Sequence, residues 1–521
     1  MYKIFVLVLL SSATFSCNAS NFTPPNPPGA YGVGFRLVQQ YDHARIYQQK
    51  IDLTSGTTAS GERARPLQTL IWYPARKPLG KQLQYGDYLR LVTTEAIFAR
   101  SDAEVKHALA AALEDNYSNL SMEQRHLEMG QTMLAVQNAV AAPGKFPVVI
   151  YAPGSSSSAY ENADLCEYLA SQGYIVIANT SIGVNTRSMT LDLEGAEAQA
   201  GDIMFLVGYV ATLGQADSSR IAVIGYSWGG LANVLAAARD DRIGALVALD
   251  GSVRYYPAVA QAVTYATPER LALHVLYMGA KPSNAEQVNR NKHQIPTYSL
   301  LNELKYSDVY NITMYTMTHA AFQSDSLRMG PEQSFEDYTR DEATQGYRWM
   351  EKYVLAFLNA YLKEEASALN FMSNPPRVNG VPNHLLSVDI HRAEGAPPTL
   401  TTLATEFARR NYTDLATIYR EMNKKTLSFK PAERALISWG ERFLDQRRYS
   451  QAVQIYELVN ALYPESPRAA FYLAMAYDKT NDSVHAIENY QRVLSFWPDM
   501  SEAKQSIIRL RASMPENPPP H

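Results

Sequence analysis

Between Phe146 and Met317 the chain alternates short runs that are apolar throughout with helical patterns, and few architectures accept that alternation. Residues 148–152, 174–179, 221–226, 245–249, 271–278 and 312–317 read as strands; 162–172, 194–213 and 342–363 read as helices. A strand that is wet on one face alternates apolar and polar residues, so one that is apolar on both sides is buried on both faces. Such strands, separated by helices, build a parallel sheet with helices on each side. The expected fold class is therefore α/β, a doubly wound and mostly parallel sheet. Residues 31–47 and 67–73 do alternate, and are expected as edge strands. Residues 85–140 are rich in Ala, Leu, Glu and Gln at helical spacing and are expected to form a helical insertion in a domain spanning 20–365. Residues 366–398, with many Pro, Asn and Gly and little periodicity, are expected to be a linker.

The 521 residues, 46% of them hydrophobic, suffice for a large core and more than one domain. With a formal net charge of −4 and no basic patch, no nucleic-acid partner is expected. The N-terminus reads as a secretory signal over residues 1–19. Lys3 supplies a positive charge, 4–10 are apolar, 11–19 are small and polar, and cleavage falls before Ser20. The mature protein is thus expected to be secreted or periplasmic, with lipid anchoring at Cys17 as the alternative. No other segment is long and apolar enough to cross a bilayer. Of the two cysteines, only Cys166 would remain after cleavage, so no disulfide framework is expected, and Cys166 reads as a small core residue.

Beyond the linker a repeat appears. Leu436, Gly440, Phe443, Ala452, Tyr456 and Pro464 recur at the same spacing as Ala470, Ala474, Tyr477, Ala486, Tyr490 and Pro498. Small residues let two helices approach, aromatics fill the gaps, and Pro ends the second helix. Residues 399–514 therefore resemble tetratricopeptide repeats: a degenerate first pair over 399–425, two repeats, and a capping helix over 501–513. Such a surface would receive a protein or peptide segment.

Chemistry concentrates at Gly225-Tyr226-Ser227-Trp228-Gly229, where an apolar strand enters a helical pattern. In a G-x-S-x-G turn between strand and helix, the serine sits on a strained backbone with its hydroxyl above the sheet, and the flanking glycines remove side chains that would clash. A serine hydroxyl needs a base, and the base an orienting acid. In this arrangement the acid and then the histidine follow the serine, each after a strand. Of ten histidines, His319 follows the terminal apolar strand in the right order; His293, in a polar loop, is its rival, and His274 lies within a strand pattern. Asp250 directly follows the strand 245–249, where ligands bind at a sheet's carboxyl edge. The next strand ends Tyr277-Met278-Gly279-Ala280-Lys281 without a carboxylate. The oxyanion formed on attack would be held by the N–H of Trp228 and by that of Ser155, in the turn after 148–152.

Residues 146–323 resemble the α/β-hydrolase superfamily, and within it the branch of platelet-activating-factor acetylhydrolases and dienelactone-hydrolase-like esterases. The resemblance is carried by Phe146-Pro147-Val148-Val149, by 161–173 with its following strand, by Gly225 to Gly230, by Leu249-Asp250 and by His319-Ala320-Ala321-Phe322. It implies an acid after the strand that follows the nucleophile helix, which is Asp250. At two places the chain departs from the branch. Dienelactone hydrolases use a cysteine where Ser227 stands, and the acetylhydrolases' Ser-His-Gly is Ala152-Pro153-Gly154 here. The expected activity is cleavage of a small-molecule or lipid-like carboxylic ester through an acyl-enzyme. The alternatives are an inactive scaffold that binds through its repeats, or a peptidase or acyltransferase on the same residues. No metal-ligand spacing, phosphate loop or dinucleotide fingerprint is present in the sequence, and no cofactor is expected. The insertion 85–140 and the loop 281–306 are expected to frame the acyl pocket.

Overall fold

In the β-strand runs, successive side chains enter opposite faces of the sheet and both faces are dry. The computed structural model describes residues 20–52, 55–77, 80–280, 300–425 and 429–514; the expected signal segment and Cys17 lie outside them, as do His293 and most of the loop 281–306. The strands are β1 (Gly32–Ile46), β2 (Ala64–Ala75), β3 (Gln82–Gln84), β4 (Thr132–Gln137), β5 (Phe146–Ala152), β6 (Ile175–Asn179), β7 (Ala216–Tyr226), β8 (Ile243–Leu249), β9 (His274–Ala280), β10 (Val309–Met314) and β11 (Leu386–His391). They form one sheet in the order β11-β10-β9-β8-β7-β5-β6-β2-β1-β4-β3. From β6 to β10 every pairing is parallel. In β5, Val148 and Ile150 join a core with the helices Leu193–Val210 and Trp228–Ala237, while Val149 and Tyr151 join another with Ala163–Ser171 and Arg340–Leu362. The doubly wound α/β architecture expected from the apolar runs is the one present.

Three expectations need correction. The two N-terminal strands are not edges: β2 lies between β1 and β6, and all its twelve residues are buried. β2's short alternation reflected an aromatic-polar mix, and its polar members, Gln68 and Thr69, are themselves hydrogen-bonded inside. The insertion 85–140 is helical only in part. After the helices Tyr85–Leu89, Asp102–Tyr117 and Met122–Met129, the chain returns to the sheet as β4, parallel to β1. The stretch 366–398 is not a free linker. It holds the helix Ala366–Ser373 and strand β11, which closes one edge of the sheet antiparallel to β10. β11 does alternate apolar and polar residues over its six positions, a strand signal obscured by the Pro, Asn and Gly around it.

The chain divides into two compact units, Met1–Gly395 and Ala396–His521. The second is helical among its described residues, with helices at Leu400–Arg409, Leu415–Lys425, Glu433–Asp445, Tyr449–Leu462, Pro467–Lys479, Ser483–Phe496 and Ser501–Ser513. Within it, a Cβ on Gly440 would lie 2.5 Å from the Tyr456 ring. The equivalent pair one repeat on, Ala474 and Tyr490, is buried in a single apolar cluster.

The insertion is fastened to the helix Ala163–Ser171 by a buried carboxyl. Glu167, 2% exposed, accepts hydrogen bonds from Tyr88 Oη (2.6 Å) and the Leu134 N–H (2.6 Å). Burial pushes its pKa up to about 7. A carboxyl with a raised folded-state pKa contributes stability that is fully present below its unfolded pKa, near 4.5, and lost as pH rises through about 7. Glu167→Gln should therefore flatten the fall in Tm between pH 5 and pH 8, measured by circular dichroism. An unchanged pH dependence would show that Glu167 does not carry the proton in the native state.

Candidate active site

Strand β7 ends at Tyr226, and the next residue, Ser227, has φ 52° and ψ −118°. A non-glycine residue there costs on the order of 1–3 kcal/mol, so its surroundings must impose it. They do so from both sides: the Ser227 N–H donates to Leu249 O (3.0 Å), and Ser227 O accepts from the N–H groups of Ser252 (2.7 Å) and Gly230 (3.0 Å). The turn closes only because side chains are missing. A Cβ on Gly225 would meet the Gly229 carbonyl at 2.3 Å, and one on Gly229 would meet Ala152 O at 2.1 Å. The helix Trp228–Ala237 thus begins directly against the ends of β5 and β7, with the positive end of its dipole at Ser227.

Asp250 follows β8 at φ 43° and is 2% exposed. Its Oδ1 accepts hydrogen bonds from the Ala280 N–H and from Tyr255 Oη, each at 2.9 Å. Its Oδ2 lies 2.5 Å from His319 Nδ1. His319 opens the short turn His319–Phe322 after β10. Its Nε2 lies 2.9 Å from Ser227 Oγ. A carboxylate only accepts, so Nδ1 carries the proton and Nε2 is left to accept from the serine hydroxyl. The imidazole stacks on the Tyr226 ring at 4.9 Å and 29°, and Tyr226 Oη donates to His319 O (3.1 Å). Its side chain is 50% exposed, so the ring is held from below and open above.

The Trp228 N–H, in the first turn of its helix, and the Ser155 N–H, after β5, donate to no backbone carbonyl among the described residues. The turn carrying Ser155 is held against the serine's own segment: Gly229 packs on Ala152 and Pro153, and Gly154 packs on the Tyr226 ring. The Gly154 N–H donates to Glu161 Oε1 (3.0 Å), which also accepts from Tyr151 Oη (2.8 Å). Glu161 is 3% exposed, and burial pushes its pKa up to about 8, so at neutral pH it is largely a protonated acid.

The structure thus gathers Ser227, Asp250, His319, Trp228 and Ser155 at the carboxyl edge of the sheet. Elsewhere, His274 begins β9 at the far end and stacks on Tyr361 (3.9 Å), and His485 bonds Asp482 in the C-terminal unit (2.7 Å). Cys166 is buried, with no disulfide partner among the described residues. Among the described residues no group of three His, Cys, Asp or Glu side chains is placed to hold a metal ion. Sequence reasoning missed Tyr255, Tyr226, Ala280 and Glu161. Tyr226 was within reach as the residue between Gly225 and Ser227, but nothing local marks the other three, whose roles depend on pairings between distant segments.

The family model described as chlorophyllase matches residues 103–265. A ferulic acid esterase from Streptomyces cinnamoneus is 21% identical, with a TM-score of 0.48, covering 70% of this chain and 98% of its own. No curated protein matches the chain.

The glycine contacts lead to a direct test. Gly229→Ala should lower the Tm by several degrees and reduce any esterase activity at least a hundredfold, because the added carbon meets backbone rather than a movable side chain. Gly208→Ala, where a Cβ meets nothing within 4 Å, should leave the Tm at or above the wild-type value. Equal behaviour of the two variants would refute the close approach.

Proposed function

We propose that this α/β-hydrolase-fold enzyme, a carboxylic ester hydrolase, cleaves its substrate through an acyl-enzyme on Ser227, with His319 as base and Asp250 as the group that orients it. The continuous relay from Ser227 Oγ to His319 Nε2 (2.9 Å) and from His319 Nδ1 to Asp250 Oδ2 (2.5 Å) carries this reading. Ser227 Oγ attacks the ester carbonyl as its proton passes to Nε2. Asp250 stabilises the imidazolium and keeps the proton on Nδ1. The oxyanion is received by the N–H groups of Trp228 and Ser155, aided by the helix dipole. Collapse of the intermediate breaks the bond to the alcohol, which leaves with the proton from Nε2, and water then attacks the acyl group by the same route in reverse. An inactive scaffold would need neither the strained serine nor the paired Asp250 and His319. The match to the chlorophyllase family model over 103–265 supports an ester rather than an amide substrate.

Localisation and the C-terminal unit complete the reading. The sequence of residues 1–19 supports export from the cytoplasm and removal of the leader before Ser20. The recurring small and aromatic pairs, Gly440 with Tyr456 and Ala474 with Tyr490, support tetratricopeptide-like repeats that receive a protein or peptide segment.

Ser227→Ala should abolish ester hydrolysis and labelling by a fluorophosphonate probe while leaving the Tm unchanged within a few degrees. Asp250→Asn should lower kcat by about 10³–10⁴. Retention of more than a few per cent of wild-type kcat in the Ser227 variant would remove it as the nucleophile.

The repeats should be separable from the chemistry. A chain ending at Ala396, the first residue of the second unit, should fold by circular dichroism and hydrolyse p-nitrophenyl acetate with near full-length kcat/KM. A hundredfold loss in a folded truncation would mean that the repeats help to build the site.

A further inference from the structure

Beside the relay lies a cavity of about 320 Å³. It shares two walls with the site: the turn that continues from Ser155 through Ser156 and Ser157, and Gln323, which follows the turn begun by His319. Asn116 of the insertion, Ser334 and Glu161 complete the polar lining that matters. The volume is at the lower end of the roughly 300–1,000 Å³ typical of small-molecule pockets, room for one compact group rather than a long chain.

The charged groups on the cavity wall already have hydrogen-bond partners. The Arg187 guanidinium on its wall is 2.7 Å from Glu95 Oε2 and donates to Ser156 O (2.7 Å). Asp325 is occupied by Tyr85 Oη (2.5 Å) and Tyr117 Oη (2.9 Å). Glu161 holds a proton at neutral pH. Its Oε1 accepts from Tyr151 Oη and the Gly154 N–H, which ties the buried acid to the turn that bears Ser155. An alkyl tail would leave the surrounding hydroxyl and amide groups unpaired, and an anion would find the Arg187 guanidinium already paired with Glu95. A group whose every polar atom both donates and accepts suits this wall.

We propose that this cavity is the subsite for the alcohol half of the ester, and that this alcohol is a neutral polyhydroxylated one, a sugar or polyol. The assignment rests on the acyl-enzyme reading above. His319 protonates the departing alcohol oxygen as the carbonyl carbon keeps its new bond to Ser227 Oγ, so the alcohol leaves past the His319 turn, where Gln323 forms the cavity wall. Asn116, Gln323 and Ser334 hold its remaining hydroxyls.

The test compares two acetates of primary alcohols in the full-length protein: methyl 6-O-acetyl-glucopyranoside and hexyl acetate. The wild type should favour the sugar ester at least tenfold in kcat/KM. The double variant Asn116→Leu/Ser334→Val should lower that preference at least tenfold. Asn116 is exposed on its helix, so Asn116→Leu alone serves if the double variant fails to fold, and should lower the preference at least threefold. Equal or greater turnover of hexyl acetate, turnover of neither acetate, or a preference unmoved by folded variants would overturn the subsite. p-Nitrophenyl acetate separates the two readings. Its hydrolysis by the wild type together with any of those results rejects the cavity's role alone, and its failure to react rejects the acyl-enzyme on which that role rests.

Discussion

Everything at this site depends on how closely the helix Trp228–Ala237 approaches the strand ends beneath it. Gly225 and Gly229 bring backbone against backbone where any side chain would intrude, and Gly230 meets Gly251 in the same way. That contact locks Ser227 at φ 52° and fastens its N–H and carbonyl to the exit of β8. Once the serine is placed, strand register places much of the rest. Tyr226 pairs with Leu249, so Ser227 and Asp250 are the next residues on neighbouring strands. Leu249 pairs with Met278, which brings the Ala280 N–H within reach of the Asp250 carboxylate. Parallel pairing carries this alignment on to β10, from which the chain turns back with His319.

The histidine is held by two unlike contacts. Asp250 fixes one ring nitrogen, and the Tyr226 ring supports the imidazole face. Since the same Tyr226 packs on Gly154, one aromatic ring braces the base and the turn that bears Ser155. Glu161 secures that turn from the other side through the Gly154 N–H. In the proposed mechanism, a protonated Glu161 does this without placing a full negative charge near the developing oxyanion, which an ionised carboxylate would oppose.

The insertion is held by apolar residues that join the core, among them Tyr88, Leu89 and Met133, and by polar groups as well. Tyr85 and Tyr117 reach Asp325, and Tyr88 reaches Glu167, each tyrosine pairing a buried carboxyl that burial alone would disfavour. These bonds draw the segment around Asn116 to the rim of the site and leave a polar cavity there. Part of the wall of the proposed subsite is therefore built by a segment that carries none of the proposed catalytic residues.

The residues alone determined the architecture and pointed to the proposed chemistry. Runs apolar on both sides demanded a covered parallel sheet, and a serine between glycines at a strand-to-helix junction, with an acid and a histidine after later strands, marked the reacting edge. These were legible because local periodicity and local turn chemistry encode them. Tertiary structure alone decided that β2 is interior, that 132–137 is a strand, and that Tyr255, Ala280 and Glu161 contact the site. A short strand gains its identity from the neighbour that supplies its hydrogen bonds. A buried carboxyl gains its proton, and hence its function, from the desolvation that only the assembled fold imposes.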